Sequence, residues 1–241
     1  MHSQPEQLKA CPAEITTLLR GEAESLQGWL HHGNAGRWGR EAAMILIGSG
    51  CYGAAMGWWR SPEQALFVAV KFPLIILLTM LGNALLNAML APLLGLNLTL
   101  RQTLRAVLMS FTISSAIMGA FSPLIAFMVW NAPAMAAKDI SGTTYNFILL
   151  AHVMVIALAG ITGNVRLFQL LSRVGGSRAV ARRVLFAWLA GNLFFGSQLT
   201  WILRPFIGSP TLPVEFYRES ALHGNFFEAV FRSLLQLFHS H

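Results

Sequence analysis

"FPLIILLTMLGNALLNAMLAPLLGLNLTL", Phe72 to Leu100, carries no charged residue. A helix that crosses a bilayer needs about 20 mostly apolar residues, and this stretch exceeds that length. Outward from it, four more windows are free of charge: Ala42 to Trp59, Ala106 to Ala137, Ile140 to Val165 and Val184 to Leu203. The chain of 241 residues is 55% hydrophobic and only 11% charged, against roughly a quarter charged in a soluble domain. Inside lipid a backbone must satisfy its own polar groups, which leaves helices or closed barrels. The windows lack the alternation of barrel strands. The fold class is therefore all-α: a polytopic α-helical membrane protein with about five transmembrane helices and amphipathic helices at both ends. We divide it into a cytoplasmic segment, 1–40, a five-span bundle, 41–207, and a carboxyl-terminal segment, 208–241. The window at 42–59 is the shortest and is rich in glycine.

No charged and then apolar leader with a small-residue cleavage site opens the sequence, so the first span is expected to act as an uncleaved anchor. Ahead of it, Ile15, Leu18, Leu19, Leu26, Trp29 and Leu30 recur at helical spacing among polar residues, the pattern of an amphipathic helix. Ser61, Pro62 and Glu63 combine an N-cap, a first-turn proline and an acid that favours the helix dipole. A helix is predicted to start there, run through Lys71, meet Pro73 as a kink and end at Pro92 and Gly95. Thr99 to Arg105 lead into the third span and Tyr145 opens the fourth. Ser172 to Arg183, with two glycines and several arginines, reads as a solvated connector. Phe226, Phe227, Val230, Phe231, Leu234, Leu235 and Phe238 make a short amphipathic helix, too short to cross.

Orientation follows from lysine and arginine near the span ends. With the amino terminus in the cytoplasm, Arg37, Arg40, Arg101, Arg105, Arg173, Arg178, Arg182 and Arg183 lie inside. Arg60, Lys71, Lys138, Arg204 and Arg218 lie outside, as does the carboxyl terminus, in a bacterial inner membrane. The net charge of +7 is what cytoplasmic flanks impose and does not point to nucleic acid.

Several chemistries are disfavoured. Asp139 is the only aspartate and no glutamate falls inside a window, so the intramembrane acid of proton or cation coupling is missing. Phosphate-binding glycine loops and HExxH are absent, and Gly48, Ser49, Gly50 do not meet the spacing of a serine-nucleophile turn. Cys11 and Cys51 lie in different segments and suggest neither disulfide nor metal. No metal, cofactor or catalytic residue is predicted.

What remains is polar residues in apolar surroundings. Asn83 and Asn87, four apart, share a helix face, and Asn192 and Gln198 lie in the fifth window. They form either a polar seam between two helices or a path for a solute. His152 is the one histidine in a span: an interhelical hydrogen-bond partner that could join the polar seam, a ligand for haem or quinone, or a proton relay. Ser49, Gly53 and Gly57, with Ala187 and Gly191, are small-residue stripes for close helix approach, within one chain or between copies. Arg166 near a span end is expected to snorkel and contact an anion or lipid headgroup. Arg204, followed by proline, is expected to contact an anion or lipid headgroup, or to pair with Glu215 or Glu219 and pin the tail helix.

"VKFPLIILLT" at Val70 to Thr79, "LRPFIGSP" at Leu203 to Pro210 and "NFFEAV" at Asn225 to Val230 resemble a family of uncharacterised bacterial multi-span membrane proteins, which implies the fold but no activity. In layout alone the chain is similar to five-span Yip-type proteins, without their motifs. The leading expectation is a non-enzymatic subunit or scaffold of a membrane assembly, in contact with the lipid bilayer and with copies of itself or other membrane proteins. The alternative is a small oligomeric channel, transporter or lipid-handling protein that uses the polar seam.

Overall fold

The computed structural model of the chain describes residues 35–133, 135, 142–208 and 213–239. The expected amino-terminal amphipathic helix and Lys138 lie outside them. Among the described residues six helices follow one another: α1 Ala35–Trp58, α2 Pro62–Leu93, α3 Leu100–Trp130, α4 Gly142–Val174, α5 Arg178–Leu203 and α6 Phe226–His239. Among the described residues there is no strand.

Local chemistry sets the boundaries. The Ser61 hydroxyl accepts from the Gln64 N–H at 3.1 Å and Pro62 fills the first turn, so α2 starts where the sequence predicts. It ends as predicted too. Gly95 adopts φ +92, a left-handed conformation that favours glycine, and the Leu96 N–H returns to the Ala91 carbonyl at 2.9 Å. Thr99 and Gln102 form a capping box at the head of α3.

The connector is much shorter than expected. α4 runs to Val174 and α5 resumes at Arg178, with the Ser177 hydroxyl capping the Ala179 N–H at 3.2 Å. Only 175–177 are outside helix, because arginine is a good helix former and its charge is solvated along a helix side.

Among the described residues three helices, α2, α3 and α4, are long and apolar enough to cross a membrane. α1 and α5, of 24 and 26 residues, reach about 36 and 39 Å at 1.5 Å per residue, beyond the thickness of a hydrocarbon core. Their composition holds them back. Arg37, Arg40 and Glu41 shorten the uncharged part of α1, which is also rich in glycine, and Gly191, Asn192, Gly196, Ser197 and Gln198 interrupt the apolar run of α5.

The arrangement of side chains on α2 is the reverse of that in a water-soluble helix. Leu66, Val70, Leu74, Leu78, Leu81, Leu85, Met89 and Leu93, three or four apart, are exposed. The buried side holds Gln64, Lys71, Thr79, Asn83 and Asn87. A continuous apolar stripe facing outward and polar groups facing inward suit a surrounding of lipid. With its three apolar helices, the chain fits an integral membrane protein.

α1 packs closely on both α2 and α3, α4 lies along α3, α5 lies along α2, and α4 and α5 touch each other only sparsely. Glycines permit the closest approaches. A Cβ on Gly53 or Gly57 would collide with the Val68 or Gln64 carbonyl of α2, and one on Gly48 with the Ser115 carbonyl of α3. The stripe of small residues on α1 is thus used inside the chain. One core gathers α2, α3, α4 and α5 around the fully buried Trp188, and a second gathers α1 to α4 around Tyr52.

Candidate functional site

The polar residues singled out in the sequence fall into separate places. Asn83 donates from Nδ2 to Asn192 Oδ1 at 2.8 Å, joining α2 to α5. Asn87 in turn donates to the Asn83 carbonyl and to Asn83 Oδ1, at 2.7 and 2.6 Å. These three form one seam. A Cβ on Gly191 would overlap Asn83 Oδ1, so glycine there is what admits the carboxamide. Asn87 Oδ1 is buried without a partner.

His152 and Gln198 are not part of that seam. His152 lies within the second core, where its Nδ1 is 3.0 Å from the Tyr52 hydroxyl and the two rings meet edge to face at 5.6 Å, tying α4 to α1. Gln198 instead accepts the Phe226 N–H at 3.1 Å. It caps the first turn of α6 onto α5, supported by Phe194 stacked on Phe227 with centroids 5.7 Å apart. Arg166 bonds Gln169 Oε1 at 3.0 Å on its own helix, and α4 continues two turns beyond it.

The segment after α5 folds back over α2, held there by two residues that sequence reasoning did not select as a site. Gln64 donates to the Pro205 and Phe206 carbonyls at 2.9 and 3.0 Å. Lys71 is 0% exposed, yet its Nζ reaches the Pro205 carbonyl at 3.5 Å and the Glu215 carbonyl at 3.3 Å, with the Phe216 ring centroid 5.2 Å away. Gln64 and Lys71 are seven apart, two turns along one face. That spacing, beside a proline-rich segment with open carbonyls, was the available signal.

Arg204 ends α5, and the bond from it to Pro205 is cis. Its guanidinium lies over the Trp201 ring, 3.1 Å from the centroid, so an aromatic face takes the place of the carboxylate the sequence suggested. Burial, and next the like charge of Arg218, pull Arg204 below its ordinary pKa. Arg218 has Nε and Nη2 buried and without hydrogen-bond partners.

Where α4 and α5 touch only sparsely, a crevice opens between them with α2 and α3 as its floor. One cavity of about 480 Å³ is bounded by Pro205 to Gly208 and by His152, and another of about 280 Å³ reaches Asn164 and Asn192. Phe72, Ile75, Ile76 and Ile156 line both. The walls are mostly apolar, with isolated hydroxyl and amide groups at the margins. Such a crevice holds a hydrocarbon chain better than it holds an ion.

Comparison with protein-family models, curated proteins and solved structures finds no match to this chain. The site is accordingly read from its own chemistry.

Proposed function

We propose that the chain is a non-enzymatic, five-span membrane protein that handles lipid, holding an acyl chain in the crevice between α2, α4 and α5. The observation that carries this reading is the pair of adjoining cavities with shared apolar walls, between helices that are apolar enough to lie in a bilayer. α1 and α5 are counted as spans on their length and on their packing against α2. The arginine balance supports a bacterial inner membrane with the amino terminus in the cytoplasm and the carboxyl terminus outside. Membership of the uncharacterised bacterial family to which the three motifs point belongs to the same reading.

The Asn83, Asn87 and Asn192 seam counts against a solute path, since these amides mostly satisfy one another. Retention of phosphatidylcholine by the detergent-purified chain, measured by native mass spectrometry, tests the lipid reading. Ile156→Trp and Gly196→Phe, which fill the crevice, should remove the bound lipid. Equal retention by wild type and both variants would reject it.

A subunit or scaffold role is the second reading. It is favoured by the row of exposed Phe227, Val230, Phe231 and Leu235 along α6, which offers an apolar face to a second copy or to another membrane protein. A fixed partner that co-purifies with wild type and is lost with Phe231→Glu would support it.

A further inference from the structure

Lys71, Arg204 and Arg218 come from distant parts of the chain and converge on the segment that follows α5. Lys71 bonds the carbonyls of Pro205 and Glu215, Arg204 immediately precedes Pro205, and Arg218 lies two residues beyond Phe216, the ring that Lys71 faces. The like charge of Arg218 bears on Arg204. Among the described residues no carboxylate pairs with any of the three, and two of the Arg218 nitrogens are cut off from solvent without an acceptor. Like charges gathered at low dielectric repel strongly unless an anion lies among them.

We propose that Arg204 and Arg218, with the buried charge of Lys71 behind them, form a binding site for a phosphate group, supplied by the headgroup of an anionic phospholipid whose acyl chain lies in the crevice. The inference rests on the crevice reading and adds to it the class of lipid. Guanidinium groups present paired N–H donors that match phosphate oxygens, and a lysine adds a compact charge. Trp201 under Arg204 holds one guanidinium in place, as interfacial aromatics hold cations near headgroups. Pro205 to Gly208 line the larger cavity and follow Arg204 directly, so that end of the crevice adjoins the segment that carries the arginines. Free phosphate shares the recognising chemistry and is the other source to be distinguished.

The test uses the full chain in neutral detergent. Native mass spectrometry compares retention of phosphatidylglycerol with phosphatidylcholine, whose phosphate is the same but whose choline cation is repelled by the gathered positive charges, and thermal unfolding is followed with and without inorganic phosphate. Wild type should prefer phosphatidylglycerol about tenfold, the worth of one charge-assisted contact. Arg218→Gln should abolish that preference while still retaining phosphatidylcholine, with unchanged helicity and elution. Arg218→Lys should recover part of it, and Arg101→Gln, at the opposite end of the bundle, should change nothing. A shift of the unfolding temperature by phosphate alone, lost in Arg218→Gln, assigns the site to free phosphate and supports the cation site without the crevice. If wild type holds both lipids equally, or Arg218→Gln keeps the preference, the phosphate site is overturned while the crevice reading stands. If neither lipid is retained and phosphate shifts nothing, both readings fall.

Discussion

Gly53→Ala and Gly57→Ala each add one methyl group at the contact of α1 with α2. The new Cβ of residue 53 would lie 2.6 Å from the Val68 carbonyl oxygen and 3.0 Å from the Phe72 Cβ. That of residue 57 would lie 2.6 Å from the Gln64 carbonyl oxygen and 2.9 Å from the Ala65 Cα. These neighbours are mostly backbone and cannot rotate away, so the helices must separate. Overpacking of this kind costs about 1–3 kcal/mol, while alanine in place of glycine inside a helix returns about 0.5–1 kcal/mol. The net loss should be about 1 kcal/mol for each variant, and the double variant should depart from additivity because both act on one interface. Gly160 on α4 has nothing within 4 Å of an added Cβ, so Gly160→Ala keeps the propensity gain without the clash and should be neutral or more stable. Reversible unfolding in mixed micelles titrated with dodecyl sulfate measures all four proteins. If Gly53→Ala is as stable as wild type and changes the oligomeric size instead, the stripe faces another copy and the packing described here is wrong.

Three further outcomes follow from named contacts. Gln64→Leu removes two hydrogen bonds to the Pro205 and Phe206 carbonyls. At about 0.5–1.5 kcal/mol for each bond, it should loosen the segment after α5, seen as faster protease cleavage between Pro205 and Glu215 with α1 to α5 intact. An Asn83→Ala, Asn192→Ala double-mutant cycle should give a coupling of about 0.6–1.7 kcal/mol, the range found for hydrogen bonds between membrane helices; zero coupling would remove the seam. Tyr52→Phe should destabilise by a similar amount and leave the visible absorption spectrum unchanged, whereas a visible band that moved with this substitution would place a cofactor on His152.

The helices were readable because lipid imposes a coarse and strong pattern: long runs without charge, interrupted by residues that cap or break helices. Ser61 with Pro62, and Pro92 with Gly95, marked both ends of α2, where local backbone chemistry alone decides. The arginine-rich stretch before α5 misled, because charge indicates contact with water and says nothing about helicity; the capping Ser177 was the better signal. The Asn83 and Asn87 pair was visible from spacing, and its partner Asn192 from being polar in an apolar window. Gln198 and His152 mark the limit of what local sequence carries. Each is polar and intramembrane by sequence, yet one caps α6 and the other meets Tyr52, and nothing local distinguishes those partners. The role of Lys71 depends on carbonyls well over a hundred residues away, a relation that only the folded chain contains.

Those long separations bear on how the bundle is assembled in the membrane. When α2 emerges from synthesis its inward face already carries Gln64, Lys71, Asn83 and Asn87, but Asn192, Pro205 and Glu215 have yet to be made. Until they arrive, the second helix must shelter amides and an ammonium group from hydrocarbon by other means, such as water, a neighbouring chain or the insertion machinery. The closing segment therefore acts as the last stitch: the earliest helices reach their resting state only once the end of α5 has been drawn back over them.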